Sequence, residues 1–336
     1  MSQTSPVNAT ESNWVQQSAL WLYSFWKFSR PHTIVGTTLS AVGLYLIAFA
    51  TDAESLTWRQ LAIPAGALVA CLCGNVYIVG LNQLKDIEID RINKPHLPVA
   101  AGEFSYAQGK AIVSTAGILA ILLSALQGWW LFATVGISVM IGTAYSLPPI
   151  RLKRFPFWAS LCIFTVRGAI VNLGLFGHYR SQLSDRAVSL SLNAITPEVW
   201  TLTLFIIGFT FAIAIFKDIP DLEGDRQYNI STFTIRLGAG AVFNLARWVL
   251  TVCYIGITIA GILGLPEANP VFIAATHLGA LGIFWWRSWR VDLEDNRAIA
   301  RCYQFIWKLF FVEYIIFPVA CLLQGWKVTG IVGWLG

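Results

Sequence analysis

Two short stretches carry carboxylates at a spacing that suits a metal ion. Asn82, Asp86 and Asp90 recur every fourth residue in NQLKDIEIDRINKP. On a helix that interval is just over one turn, so three oxygen-bearing side chains line one face. Asp221 and Asp225 repeat the interval in KDIPDLEGDR, behind Lys217 and Asp218. Magnesium takes a few carboxylates and completes its shell with water and phosphate oxygens. Two such stripes facing one another would grip two ions and a diphosphate between them. Lys-Asp-Ile and Asp-Arg occur in both stretches, which suggests an internal duplication. The bland reading is a pair of unrelated polar loops.

A diphosphate also needs cations. Arg91 and Lys94 follow the first stripe, Lys217 precedes the second, and Arg151, Lys153 and Arg154 close a third loop, YSLPPIRLKR, which opens on Tyr145. Basic residues also anchor any loop on the inner side of a membrane, so the third loop reads equally well as plain topology. Arg167 is less ambiguous, because a charge inside an apolar run is costly and faces an interior cavity. It lies five residues before Asn172 in the same run.

The elements that position these residues are membrane-spanning helices. The chain has 336 residues, 56% hydrophobic and 12% charged, against about 25% charged in a soluble protein. About 20 apolar residues cross the hydrocarbon as a helix, and backbone groups in lipid must pair within the helix. Nine spans are expected: Thr33–Ala50, Leu61–Asn82, Ala111–Gln127, Gly128–Leu147, Phe155–Gly177, Val199–Phe216, Trp248–Pro266, Ala268–Trp286 and Cys302–Leu323. The uncharged run 111–150 is too long for one span and is divided at Gln127-Gly128, ahead of Trp129-Trp130. The six cysteines lie in or at spans and read as small apolar residues.

With the N-terminus inside, eighteen of the 23 Lys and Arg fall on inside segments, four (Arg59, Arg180, Arg186, Lys327) outside, and Arg167 within a span. That bias places the N-terminus and both aspartate loops on the cytoplasmic side. The net charge of +5 is a topology signal, with no nucleic-acid footprint. Residues 1–26 read as a polar tail without the features of a signal or transit peptide, and 27–336 as one transmembrane unit. Glu313 and His277, also in spans, read as structural hydrogen-bonding groups.

Taken together, Phe28-Ser-Arg-Pro-His-Thr33, the run from Asn82 to Ser105, YSLPPIRLKR, RGAIVNLGLFGH from Arg167 and FKDIPDLEGDRQYNISTFTIRLG from Phe216 resemble the UbiA superfamily of intramembrane aromatic prenyltransferases. The resemblance runs from about Phe28 to Leu323 and is strongest to the homogentisate phytyltransferase branch of cyanobacteria and plastids. Lys85 stands where an aromatic residue is common in that branch. It lies off the acidic stripe, so metal binding is little affected.

The resemblance implies an all-α bundle of nine helices around a central cavity capped by the aspartate loops, in a cyanobacterial plasma or thylakoid membrane. It implies that Asn82, Asp86, Asp90, Asp221 and Asp225 hold Mg2+ on a prenyl diphosphate, phytyl diphosphate in that branch, with Arg91, Lys94, Lys153, Arg154 and Lys217 balancing its charge. Homogentisate is the implied acceptor, losing CO2, and Arg30 and His32 are the implied contacts to the aromatic acid. The product would be 2-methyl-6-phytylhydroquinone, a tocopherol precursor. Geranylgeranyl and solanesyl transfer, chlorophyll synthase chemistry and, outside enzymes, a transporter stay open at this point.

Overall fold

A computed structural model describes residues 7–52, 57–184, 195–227 and 231–332, with the side chains of 7–13, 52, 59, 223–225 and 325–332 left out. Every regular element among the described residues is helical: α1 (Val7–Phe28), α2 (Pro31–Asp52), α3 (Trp58–Lys85), α4 (Ile87–Asn93), α5 (Tyr106–Leu126), α6 (Trp129–Ser146), α7 (Pro156–Phe164), α8 (Val171–Leu183), α9 (Pro197–Phe216), α10 (Leu222–Gln227), α11 (Phe233–Leu237), α12 (Ala239–Gly264), α13 (Pro270–Ser288) and α14 (Asn296–Val332).

Helix ends are marked locally. Thr57 with Gln60, and Ser105 with Gln108, form reciprocal capping boxes at the starts of α3 and α5, each satisfying two otherwise orphaned backbone donors. Proline opens α7, α9 and α13, where its missing N–H costs nothing. The uncharged run breaks where expected, because Gly128 at φ +116° adopts a backbone that a side chain would resist.

Eight helices are long and apolar enough to cross a membrane: α2, α3, α5, α6, the continuous α7–α8 unit, α9, α12 and α14. The ninth expected span is present as α13, a 19-residue helix, but His277, Trp285, Trp286 and Arg287 dilute its apolar run, so it falls outside those eight. Between α7 and α8 the chain makes a π turn, Thr165–Ile170, where the sequence suggested an unbroken helix. Such wide turns inside helices frequently mark functional sites. Residues 7–26, expected as a polar tail, are largely the helix α1. Trp14, Trp21, Phe25 and Phe28 fall on one stripe of it, a pattern that average composition conceals. Trp21 and Phe28 contact Phe104, and Lys27 and Ser24 donate to Glu103.

The bundle closes by α3 packing on α5, α9 on α12, α12 on α13, and α14 on α2. A Cβ on Gly43 would stand 2.7 Å from the Tyr314 carbonyl, so glycine lets the α2 and α14 backbones touch. Tyr254 stands edge to face with Phe205 and Phe209 in the core, and Phe310 packs tilted on Phe209. His277 Nε2 lies 3.1 Å from Glu313 Oε2, both fully buried, a hydrogen-bonded pair between α13 and α14 that does not line the central cavity. The short helices α4 and α10 pack on one another at one end of the bundle, which brings both aspartate loops to the same face. Single cysteines introduced at exposed His96 and Gln227 in a cysteine-free variant are therefore expected to react with a membrane-impermeant maleimide from the same side. Labelling from opposite sides would break the topology.

Candidate active site

The first stripe runs across the junction of α3 and α4. Asp86 ends α3 with its N–H bonded to the Gln83 carbonyl, a tightened last turn, rather than continuing the helix. The stripe survives because Asp90 N–H still reaches the Asp86 carbonyl at 2.7 Å. Asn82 Nδ2 donates to Asp86 Oδ2 at 3.0 Å, and Arg30 Nη2 donates to Asn82 Oδ1 at 3.2 Å. Asp86 also accepts from Arg151 Nη2 at 3.0 Å and from Lys153 Nζ, so the third loop folds directly over the first stripe.

Among the described residues, an ion pair joins the second loop to the first. Lys94 Nζ lies 2.5 Å from Asp221 Oδ2, across 127 residues of sequence. Lys217 pairs with its neighbour Asp218 at 2.7 Å. Asp225 lies in α10, and its side chain is outside the described residues. Arg91 pairs with Glu88 on the exposed face of α4, and Arg154 is exposed beyond the third loop, so neither is drawn to the stripes.

Two non-glycine residues among those described have positive φ, Arg30 at 53° and Arg151 at 41°. Both reach the first stripe. Backbone held in a sparsely populated region is found where surrounding structure over-determines it, often at sites of binding.

Burial pushes the Asp90 carboxyl up to about 6, against the opposing pull of Arg30 and Lys94. Burial also draws Lys153 down, and Asp86 resists that. Asp90 Oδ2 is buried with no hydrogen-bond partner, an unmet acceptor that a cation would satisfy. The donor set of amide and carboxylate oxygens suits a hard divalent ion. Among the described residues no three His, Cys, Asp or Glu side chains stand together as a ready-made metal cluster. Asp86 and Asp221 are instead occupied by Lys and Arg.

Below this mouth opens a cavity of about 280 Å³. Arg30, His32, Asn82, Tyr145, Lys217 and Tyr303 line its charged end. Its wall follows α3 from Asn82 to Cys71, twelve residues or roughly 16 Å of helix. Arg167 projects into it from the π turn. Its guanidinium lies 5.3 Å from the Trp307 ring and 5.7 Å from Phe310, and a Cβ on Gly36 would stand 2.9 Å from Nη1. Arg167 makes no ion pair with a carboxylate among the described residues. Asn172 is not on the cavity wall; fully buried, it accepts from the Tyr314 hydroxyl at 2.7 Å. His32 stands edge-on to Trp307 at 4.9 Å. Tyr303, Trp307 and Phe310 are contributions the sequence reading left unassigned among many aromatics. Their spacing of four and three on α14 was the available signal.

Residues 34–309 match the sequence model of the UbiA prenyltransferase family. The chain is 51% identical over 309 residues to the homogentisate phytyltransferase of Synechocystis sp., covering 92% of this chain and 98% of that one. It is 38% identical over 302 residues to the chloroplastic homogentisate phytyltransferase 1 of Arabidopsis thaliana, covering 88% and 75% respectively. In fold it is similar to a UbiA homolog from Archaeoglobus fulgidus solved with GPP and Mg2+, at a TM-score of 0.59 and 15% identity over 88% of this chain and 99% of that one.

Proposed function

Because the chain belongs to the UbiA prenyltransferase family, we propose that it transfers a phytyl chain from phytyl diphosphate to homogentisate, releasing diphosphate and CO2, from the inner face of the membrane in which it is embedded. The observation that carries this reading is the Lys94–Asp221 link, which sets two aspartate loops together over the mouth of an intramembrane cavity. The relatives named for homogentisate phytyl transfer support the acceptor and the tail. The GPP and Mg2+ held by a protein of the same fold support a diphosphate and a divalent ion.

Asn82, Asp86, Asp90, Asp221 and Asp225 are the residues that would hold magnesium, which when bound neutralises the diphosphate and makes it a better leaving group. The chain's own cations do the rest of that work. Arg151, Lys153 and Lys94 rest on carboxylates without substrate. When a diphosphate arrives, its oxygens are a new set of anionic partners for them, and Asp86 and Asp221 become available as ligands. Magnesium alone is therefore expected to bind weakly, and together with a diphosphate to bind much more tightly. Tyr145, Tyr303 and Trp307 are aromatic side chains on the cavity wall, where a ring close to the developing allylic cation would stabilise it. The apolar walls below exclude water that would otherwise trap that cation.

Purified full-length protein supplied with labelled homogentisate and phytyl, geranylgeranyl or solanesyl diphosphate tests the reading. The expected result is a methyl-prenylhydroquinone with diphosphate and CO2 released in equal amounts, highest kcat/KM for the phytyl donor, and no product in excess chelator. A higher kcat/KM for another tail would move the donor assignment. Product from no donor would end the homogentisate assignment.

A further inference from the structure

Away from the cavity, three guanidinium groups gather at the end of α12, α13 and α14 that shares its side with the aspartate loops. Arg247 of α12 reaches across to α13, with its Cζ 4.2 Å from the Trp285 ring centroid. Arg287 of α13 reaches across to α14, 4.6 Å from Phe305. Arg290, just beyond α13, lies 4.9 Å from Trp286. Each arginine stacks on an aromatic ring, and none pairs with a carboxylate among the described residues. Two of the three acids that follow, Asp292 and Asp295, are engaged elsewhere. Asp295 accepts from Arg301 and from the Arg297 backbone, and Asp292 accepts from the Glu294 backbone.

Stacking occupies the face of a guanidinium and leaves its in-plane N–H groups free to donate. Arg247 Nε is buried with no partner, and the only described hydrogen bond of its side chain runs from Nη1 to Asn244 Oδ1 at 3.3 Å. Around the three cations Trp248, Trp286 and Trp289 are 60%, 59% and 79% exposed. Exposed tryptophans at helix ends belong at the headgroup level of a bilayer. An oxyanion at that depth would meet several fixed donors, and acyl chains below it would meet the apolar outer faces of α12 and α13, where Val252, Ile259 and Ile283 are exposed.

We propose that this patch binds the headgroup of an anionic phospholipid from the leaflet on the aspartate-loop side. The site stands apart from the catalytic cavity and does not depend on which prenyl chain or acceptor the protein uses. Basic residues that merely set topology would attract anionic lipid diffusely and without preference for place. A built site holds one lipid through paired donors.

Native mass spectrometry of the full chain in neutral detergent, titrated with phosphatidylglycerol or phosphatidylcholine of matched acyl chains, separates the two. Phosphatidylglycerol is expected to bind about a hundredfold tighter, the product of the three arginines' contributions. Each surface arginine contributes roughly fivefold in affinity for an anionic lipid, so Arg247→Gln, Arg287→Gln and Arg290→Gln combined should lower phosphatidylglycerol affinity about a hundredfold and leave phosphatidylcholine unchanged. Removing equal charge from the same side, with Lys110→Gln, Arg297→Gln and Arg301→Gln, should change it less than about threefold. Should the triple variant fail to fold, exposed Arg290→Gln alone is expected to cost roughly fivefold. Equal affinity for the two lipids in the wild type, an equal loss in the control, or no loss in Arg290→Gln would overturn the proposal. Release of bound phosphatidylglycerol by millimolar inorganic phosphate would reassign the patch to free anions and overturn the lipid.

Discussion

Asp86→Asn is expected to lower kcat by about 10²–10³, the usual cost of removing one electrostatic stabiliser from a site where charge develops. Asp86 is where the first and third loops meet, since it accepts from Asn82, Arg151 and Lys153 together. Asparagine keeps the size and one oxygen but drops the charge, so a loss of rate reports on charge and not on packing. Asp221→Asn should cost a similar factor, because Asp221 is the second loop's tie to Lys94. Groups that hold one substrate between them act as a unit, so the double replacement should cost far less than the product of the singles. Removal of a carboxylate leaves Arg151 and Lys153, or Lys94, without a partner. Gel filtration and thermal unfolding in detergent must therefore accompany the kinetics to separate misfolding from lost chemistry. Magnesium should restore chelated protein, and calcium should do so poorly, being larger and less demanding of octahedral geometry. Wild-type rates in both single variants would remove the aspartate loops from the reaction.

Much of this site is legible in the chain because it rests on local periods. Asn82, Asp86 and Asp90 announce themselves by a spacing that any helix turns into a stripe, and the tight turn at Asp86 disturbs it little. The boundary between α5 and α6 is visible because glycine and a tryptophan pair carry their own conformational and interfacial preferences. What was not legible depends on distant partners. No pattern near Lys94 or Asp221 says that they meet across 127 residues. Nothing in the types of Arg30 and Arg151 requires their left-handed backbones. The π turn at Arg167 lies where α9 approaches closely, since a Cβ on Gly168 would stand 2.6 Å from Ile207 Cγ1, and that neighbour is distant in sequence. Asn172, in the same run as Arg167, turns away from the cavity to Tyr314, a partner 142 residues on that no local pattern announces. For α1, a polar average hid an apolar stripe whose register only the helix reveals.

Arg167→Ala is expected to raise KM for homogentisate far more than KM for the prenyl diphosphate. The aspartate loops gather Lys94, Arg151, Lys153 and Lys217 at the mouth of the cavity, so a diphosphate there has cations enough without Arg167. Arg167 sits apart from that group, beside the rings of Trp307 and Phe310, with no carboxylate beside it among the described residues. A charge in a membrane bundle without an ionic partner is costly, and cation–π contact offsets only about 0.5–2 kcal/mol of that. The carboxylate of an aromatic acid would complete the pair, and the guanidinium fork matches its two oxygens. Removing one partner of such a desolvated pair costs roughly 2–5 kcal/mol, about 30-fold to a few thousandfold in kcat/KM. Arg167→Lys keeps the charge and loses the fork, so it should recover only part of that loss. Gly36→Ala, which would place a methyl group 2.9 Å from Nη1, should shift the same KM in the same direction by a smaller factor. A rise confined to KM for the prenyl diphosphate would assign Arg167 to the other substrate, and unchanged kinetics in a folded Arg167→Ala protein would return it to packing.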